Sequence, residues 1–285
     1  MRLFLLPLST RRSFLYAQHL RGANAATDAS YIDRGAAWAA GKWSEWERKE
    51  SGWQKKVVEY GNHAFRRIPY EEWGLKSVPP LSSRRPRRRG GEDEQNMQSQ
   101  DGQEHVELVF PSSVMSEAQA EDVVRRMGSE RDGLHRRRLI WCVIGMPITV
   151  PFAVVPIIPN LPFFYLVYRA WSHWRALAGG RHVQLLLDKK LLRPTPSPVL
   201  DALYSQAGTL QQTQAHTSPG STPHPSPDPT AREVLLLRQA QVRTFSEKLG
   251  VPALEVELER ALWQVEQVME KEAKGEEEAD KEKHS

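Results

Sequence analysis

Residues 139–167 read LIWCVIGMPITVPFAVVPIIPNLPFFYLV, and the fold turns on how they are read. The run holds 29 residues without a charge, preceded by Arg136, Arg137 and Arg138 and followed by Arg169 and Arg175. A spanning helix needs roughly 20 apolar residues, so hydropathy alone points to a bilayer. Pro147, Pro151, Pro156, Pro159 and Pro162 exclude one unbroken helix. Pro159, Asn160 and Pro162 mark the break: Asn160 suits an N-cap and Pro162 suits a first helical turn. The expectation is two helices, 139–155 and 161–178, about 25 and 27 Å long at roughly 1.5 Å per residue. Trp141 lies beside Arg138, while Tyr168, Trp171 and Trp174 lie around Arg169. These four aromatics, with Arg136, Arg137, Arg138 and Arg169, form the expected membrane-interface set. Basic residues at both ends favour a hairpin that returns to one side. Backbone groups freed by the prolines need partners that lipid does not offer, so the halves should pack on each other or oligomerise.

Outward from this run, the composition is uneven. Residues 1–100 carry 18 Lys and Arg against 11 Asp and Glu, while the last 20 residues are rich in Glu. A basic front half suits an anionic membrane surface or nucleic acid. The single cysteine, Cys142, excludes an intramolecular disulfide and reads as a small buried apolar side chain. Arg2, Arg11, Arg12 and Arg21 precede the first acid, Asp28. That pattern fits a mitochondrial presequence. Residues 2–8 equally fit a strand that opens the folded domain.

Between 31 and 65, Ala39, Trp43, Trp46, Trp53, Val57, Tyr60 and Ala64 follow alternating steps of three and four, with Glu50 the one polar interruption, which predicts one long helix with an apolar stripe. Packing is the simpler use of such a stripe; Lys42, Arg48, Lys49, Lys55 and Lys56 would also suit a helix lying on a membrane. Residues 78–103 read as a disordered basic linker. Arg84, Arg85, Arg87, Arg88 and Arg89 there suit a solvated loop, a nuclear signal or an anionic-lipid contact. Residues 106–110 alternate as a strand that could pair with residues 2–6. Ser116 and Gln119 form a capping box that opens a helix toward the apolar run. Gly179 and Gly180 are expected to stop the second hairpin helix. Residues 207–229 read as a low-complexity linker. Thr230 with Glu233 predicts a helix start, Gly250 and Pro252 its end, and Leu254, Leu258, Ala261, Val265 and Val268 a last helix, completing a C-terminal helical hairpin over 230–274. An acidic tail over 275–285 follows.

The sequence contains no Gly-rich phosphate loop, CxxC, HExxH or GxSxG, and its nine histidines show no metal-ligand spacing. No enzyme, no cofactor and no metal site is expected. The fold expected is mainly α and membrane-associated: a proline-broken hydrophobic hairpin, long amphipathic helices, a two-stranded β pair and disordered linkers.

The block WCVIGMPITVPFAVVPIIPNLPFFYLVYRAWSHWRALAGG at 141–180 resembles the fungal family of mitochondrial K+/H+ exchange-related proteins. RLFLLPLSTRR at 2–12 and the Trp-rich stretch before Pro79 resemble it as well. The resemblance implies an integral protein of the mitochondrial inner membrane that takes part in K+/H+ exchange and matrix volume control. It also places residues 2–8 in the family domain, which argues against cleavage there. Residues 139–167 carry no Asp, Glu, His, Lys or Arg, whereas proton pathways use ionisable intramembrane groups. The chain is therefore expected to be an accessory or assembly component, or to form a pathway only as an oligomer. Its expected partners are membrane lipids and either a second copy of itself or a larger exchanger complex, with no nucleic acid. The alternative is a membrane-bound scaffold or lipid-binding protein without an ion role.

Overall fold

The computed structural model describes residues 1–18, 31–81, 105–149, 161–214 and 233–283. They fall into two compact units, residues 19–69 and the remainder. In the smaller unit the Trp stripe forms two helices rather than one, α1 (Tyr31–Glu47) and α2 (Trp53–Arg66). The break falls at Gly52, whose φ of +107° few other residues adopt. The stripe then folds on itself: the Trp46 and Trp53 rings meet edge to face with centroids 5.3 Å apart. A Cβ at Gly61 would overlap the Trp43 ring, so this glycine is required by α1.

The larger unit is built on a sheet. β1 (Arg2–Pro7) and β2 (Ser13–Gln18) form an antiparallel hairpin. β3 (Val106–Phe110) and β4 (Leu192–Pro196) add parallel strands in the order β2-β1-β3-β4. The expected pairing of residues 2–6 with 106–110 is present, as Arg2↔Glu107, Leu3↔Leu108 and Phe4↔Val109. β1 reads as a continuous apolar run because helices cover both faces of the sheet. Leu3 and Leu5 point to one core, Phe4 and Leu6 to the other. Fully burying each such side chain contributes roughly 1.5–3 kcal/mol. The edge strand β4 carries Pro194 and Pro196, which donate no ladder bonds and discourage further pairing.

One helical layer contains α3 (Tyr70–Ser77), α4 (Glu117–Ser129) and α6 (Leu161–Asp188), with α5 (Asp132–Thr149) packed on α6. The Ser116–Gln119 capping box is formed at the start of α4. The other layer contains α7 (Pro198–Gln214), α8 (Val242–Leu249) and α9 (Pro252–Lys283). Residues 207–214, expected in a linker, continue α7; Thr230 lies outside the described residues. Residues 233–238 are not helical. Leu235 bridges to Ser9, and the Leu236 amide donates to the Leu8 carbonyl, so this strip extends the edge of the fold. Gly250 ends α8 in the left-handed conformation at φ +66°, as expected.

The expected fold class is corrected on two counts. The β component is a four-stranded mixed sheet inside two helical layers, not a two-stranded pair. Among the described residues, no helix is long and apolar enough to cross a membrane. The reason lies in how the apolar run is divided. α5 spends its first two turns on polar and basic residues, and its apolar part, residues 139–149, spans only about 16 Å at 1.5 Å per residue. α6 becomes polar from Arg169 and continues into the core. A hydrocarbon layer of about 30 Å exceeds either stretch. Pro147 lies within α5 and Pro162 in the first turn of α6, while Pro159 and Asn160 fall outside the described residues.

Gly179 and Gly180 do not stop α6; they let it approach its neighbours. A Cβ on Gly179 would overlap the Leu75 carbonyl oxygen of α3, and one on Gly180 would sit 2.9 Å from the Gly128 oxygen of α4. Gly179→Ala should cost about 3 kcal/mol or more, or prevent folding. Gly275→Ala, in open space on α9, should be neutral or stabilise by up to about 1 kcal/mol. Urea unfolding of both variants tests the packing; an unchanged midpoint for Gly179→Ala would rule out this close approach.

Candidate functional site

Where α3, α5 and α6 meet, five polar side chains are shut away from water: Glu72, His135, Arg169, Ser172 and His173, none more than 8% exposed. α5 and α6 run antiparallel, since His135 meets His173 at one end and Gly145 faces Leu166 further out. Residues 169, 172 and 173 lie one turn apart and so share a face of α6. Glu72, in the first turn of α3, is buried against that face.

Arg169 grips Glu72 through both forks: Nη1 donates to Oε1 at 2.9 Å and Nη2 to Oε2 at 3.2 Å. The Ser172 hydroxyl donates to Oε1 at 2.5 Å. Burial pushes the Glu72 carboxyl up, but the Ser172 bond and the Arg169 charge outweigh it and hold the group below its usual range. Arg169 Nη2 also lies 3.0 Å from His173 Nε2, and His173 Nδ1 lies 3.1 Å from His135 Nδ1. Burial is the main cause that pushes His173 down to about 4, with Arg169 and His135 adding and Glu72 opposing. His135 is lowered for the same reason.

Beside this cluster, the Lys76 ammonium sits 3.5 Å from the Trp73 ring centroid and about equally far, 5.2 and 5.1 Å, from Tyr168 and Trp171. Burial brings Lys76 down to about 8, against the pull of Glu72 and Glu257. Burial also raises the Tyr168 hydroxyl and the Glu257 carboxyl. Lys76 Nζ is 3.2 Å from the Tyr168 hydroxyl.

The residues expected at a membrane interface therefore separate. Arg136, Arg137, Arg138, Trp141 and Trp174 are exposed. Tyr168 and Trp171 are half-buried beside Lys76. Arg169 is placed in the interior as the partner of Glu72. Cys142 is half-buried, and burial pushes its thiol up, which suits an inert side chain. The sequence reading missed Glu72, His135 and His173. The histidines are 38 residues apart and Glu72 is 97 from Arg169, so no local spacing announces them.

Glu72, His135 and His173 place three possible ligand atoms within 4.8 Å of one another. Two histidines and a carboxylate would suit zinc in type, but the arrangement does not fit a metal. Arg169 already occupies both carboxylate oxygens and the Nε2 of His173. Coordination through His173 Nδ1 would put a proton on Nε2, facing a guanidinium that can only donate. A divalent cation would also sit beside Arg169. As placed, the three side chains are linked through Arg169 into one hydrogen-bonded cluster.

Residues 2–187 match the sequence profile of the family described as mitochondrial K+/H+ exchange-related. The matched span contains all three stretches that carry the resemblance and every residue of the buried cluster. An uncharacterized Schizosaccharomyces pombe protein is 30% identical over 182 residues, covering 63% of this chain and 72% of that protein. An uncharacterized Saccharomyces cerevisiae protein is 24% identical over 198 residues, covering 64% of this chain and 61% of that protein. The chain thus spans less than two thirds of the length of the budding-yeast relative. No solved structure matches.

The cluster makes stability depend on pH. His173 titrates near 4 in the fold and at its ordinary 6.5 when unfolded, so between these values the unfolded chain holds more protons. Stability should then be full above pH 6.5 and fall as pH drops toward 4, by on the order of 3 kcal/mol from this group. Glu72, held below its ordinary 4.5, adds a further loss at lower pH. Urea unfolding at pH 7.5, 5.5 and 4.5 measures this; equal stability at all three would contradict the buried neutral His173.

Proposed function

Because the chain belongs to the mitochondrial K+/H+ exchange-related family, we propose that it serves that process at the mitochondrial inner membrane as a non-enzymatic accessory or assembly component, and not as the exchanger. The observation that carries this reading is the outer half of the α5–α6 hairpin. Ile140, Trp141, Val143, Ile144 and Ile148 of α5 and Phe164, Tyr165 and Val167 of α6 are each at least 39% exposed. Arg136, Arg137 and Arg138 are exposed immediately before them. Apolar surface of this kind is a contact surface. Lipid headgroups beside the arginines, a second copy of the chain and a larger exchanger complex are the partners that suit it. An exchanger would instead need ionisable groups along a path through the membrane. Here the buried ionisable groups sit at the base of the hairpin, in the α/β core.

Two measurements test the proposal. Mitochondria lacking the chain should swell more slowly in potassium acetate, and re-expression should restore the rate. Re-expressed chain carrying Ile144→Glu and Ile148→Glu should stay folded but restore little. Purified chain alone in liposomes should give no K+/H+ exchange. Robust exchange by the chain alone would make it the exchanger. Unchanged swelling on deletion would leave a membrane scaffold or lipid-binding protein without an ion role.

A further inference from the structure

We infer that the His135–His173 pair is a proton-responsive latch: when neutral it fastens α5 to α6 through the buried Arg169–Glu72 pair, and an added proton releases one of its two hydrogen bonds. A guanidinium has donors and no acceptor, so the 3.0 Å contact makes His173 Nε2 an acceptor. Neutral His173 must then carry its proton on Nδ1. That N–H donates to His135 Nδ1 at 3.1 Å, which fixes the His135 proton on Nε2. His135 Nε2 is buried without a hydrogen-bond partner. The relay runs from Arg169 to His173 to His135 and ends on this solitary N–H.

Such a relay has no spare lone pair. The pair holds two basic nitrogens, His173 Nε2 and His135 Nδ1, and each already accepts a hydrogen bond. A proton on His173 Nε2 faces the Arg169 donors and places an imidazolium against a guanidinium. A proton on His135 Nδ1 sets two N–H groups head to head and breaks the link between α5 and α6. Either way one contact is lost. The Glu72 carboxylate, with Oε2 3.6 Å from His173 Nδ1, is positioned to receive the freed imidazolium in competition with Arg169.

The surroundings strengthen the effect. The charges acting on the pair are Glu72 from α3, Arg131 just before α5, Arg138 from α5, and Arg169 from α6. Arg131 is itself held by Glu71 of α3 at 2.7 Å. α4, also packed on α6, meets it at Gly180 and Gln184, about two turns or more beyond His173. α9 faces the neighbouring Lys76 and Trp73 through Glu257 and Arg260. Burial is the main reason that the proton is poorly tolerated while the latch is closed, with the cationic groups adding to it and Glu72 opposing, and the proton is readily accepted once the pair is released to water. With His173 near 4 when closed and at its ordinary 6.5 when released, opening should become about tenfold more favourable between pH 7.5 and 5.5. The inference stands whether or not the chain acts in K+/H+ exchange.

Two readouts on the full chain test it. With 15N-labelled histidine at pH 7.5, the NMR cross-peaks should show His173 as the Nδ1–H tautomer and His135 as the Nε2–H tautomer, unmoved by stoichiometric Zn2+. Amide hydrogen exchange, corrected for the intrinsic pH dependence, should rise about tenfold at 131–138 and 168–175 from pH 7.5 to 5.5. His173→Gln keeps an acceptor for Arg169 and a donor for His135 and removes one of the two titrating rings, so its rise there should be clearly smaller than in the wild type, and adding His135→Gln should leave exchange nearly independent of pH. An Nε2–H tautomer at His173, a saturable Zn2+ shift of both rings, or a wild type without the pH response would overturn the latch. So would a His173→Gln variant that responds as the wild type does.

Discussion

The buried Glu72–Arg169 pair is the constraint around which the larger unit is organised. Each charge is almost wholly removed from water and is tolerated only because the other is there. Removing one member of such a pair typically costs about 3–5 kcal/mol, because the survivor is left uncompensated. That is a large part of the roughly 5–15 kcal/mol that holds a domain folded. The pair fixes the distance and rotation of α6 on α3. At that setting α6 approaches α3 so closely that a Cβ on Gly179 would overlap the Leu75 carbonyl. The same rotation presents His173 to His135, so the seating of α5 follows as well.

This arrangement explains why one apolar run carries two structural roles. The inner half of the hairpin belongs to an α/β core, where its polar residues are paired. The outer half keeps the apolar and aromatic side chains that give the run its membrane-like hydropathy. Proton-sensitive groups and apolar contact surface therefore share two helices and are separated along their length. The accessory role proposed above would use both ends: the outer end for contact, the inner end for setting how firmly the hairpin is held.

What the sequence discloses depends on whether the determinant is local. Alternation in residues 106–110, the Ser116–Gln119 box and the Gly250 stop are all local patterns, and all three appear in the structure. β2 and β4 escape notice. β2 follows β1 by a short turn with few breakers, and β4 contains two prolines that read as loop. The Gly179-Gly180 pair is locally ambiguous: the same residues can end a helix or admit a close neighbour, and only the position of α3 decides. Hydropathy failed differently. It sums a run without knowing that its two flanks are bonded to the rest of the fold. The cluster itself depends on three separate helices, and Arg169 read as an interface residue because its partner lies 97 positions away.

The most direct test of the account is a double-mutant cycle on Glu72 and Arg169, with each replaced by Met singly and together and unfolding followed in urea at pH 7.5. Strong coupling is predicted. Each single change should cost about 3–5 kcal/mol, and the double change should cost less than their sum by at least about 2 kcal/mol. Additivity within about 0.5 kcal/mol would mean that the two side chains do not depend on each other, and would contradict the claim that this pair sets α6 on the core.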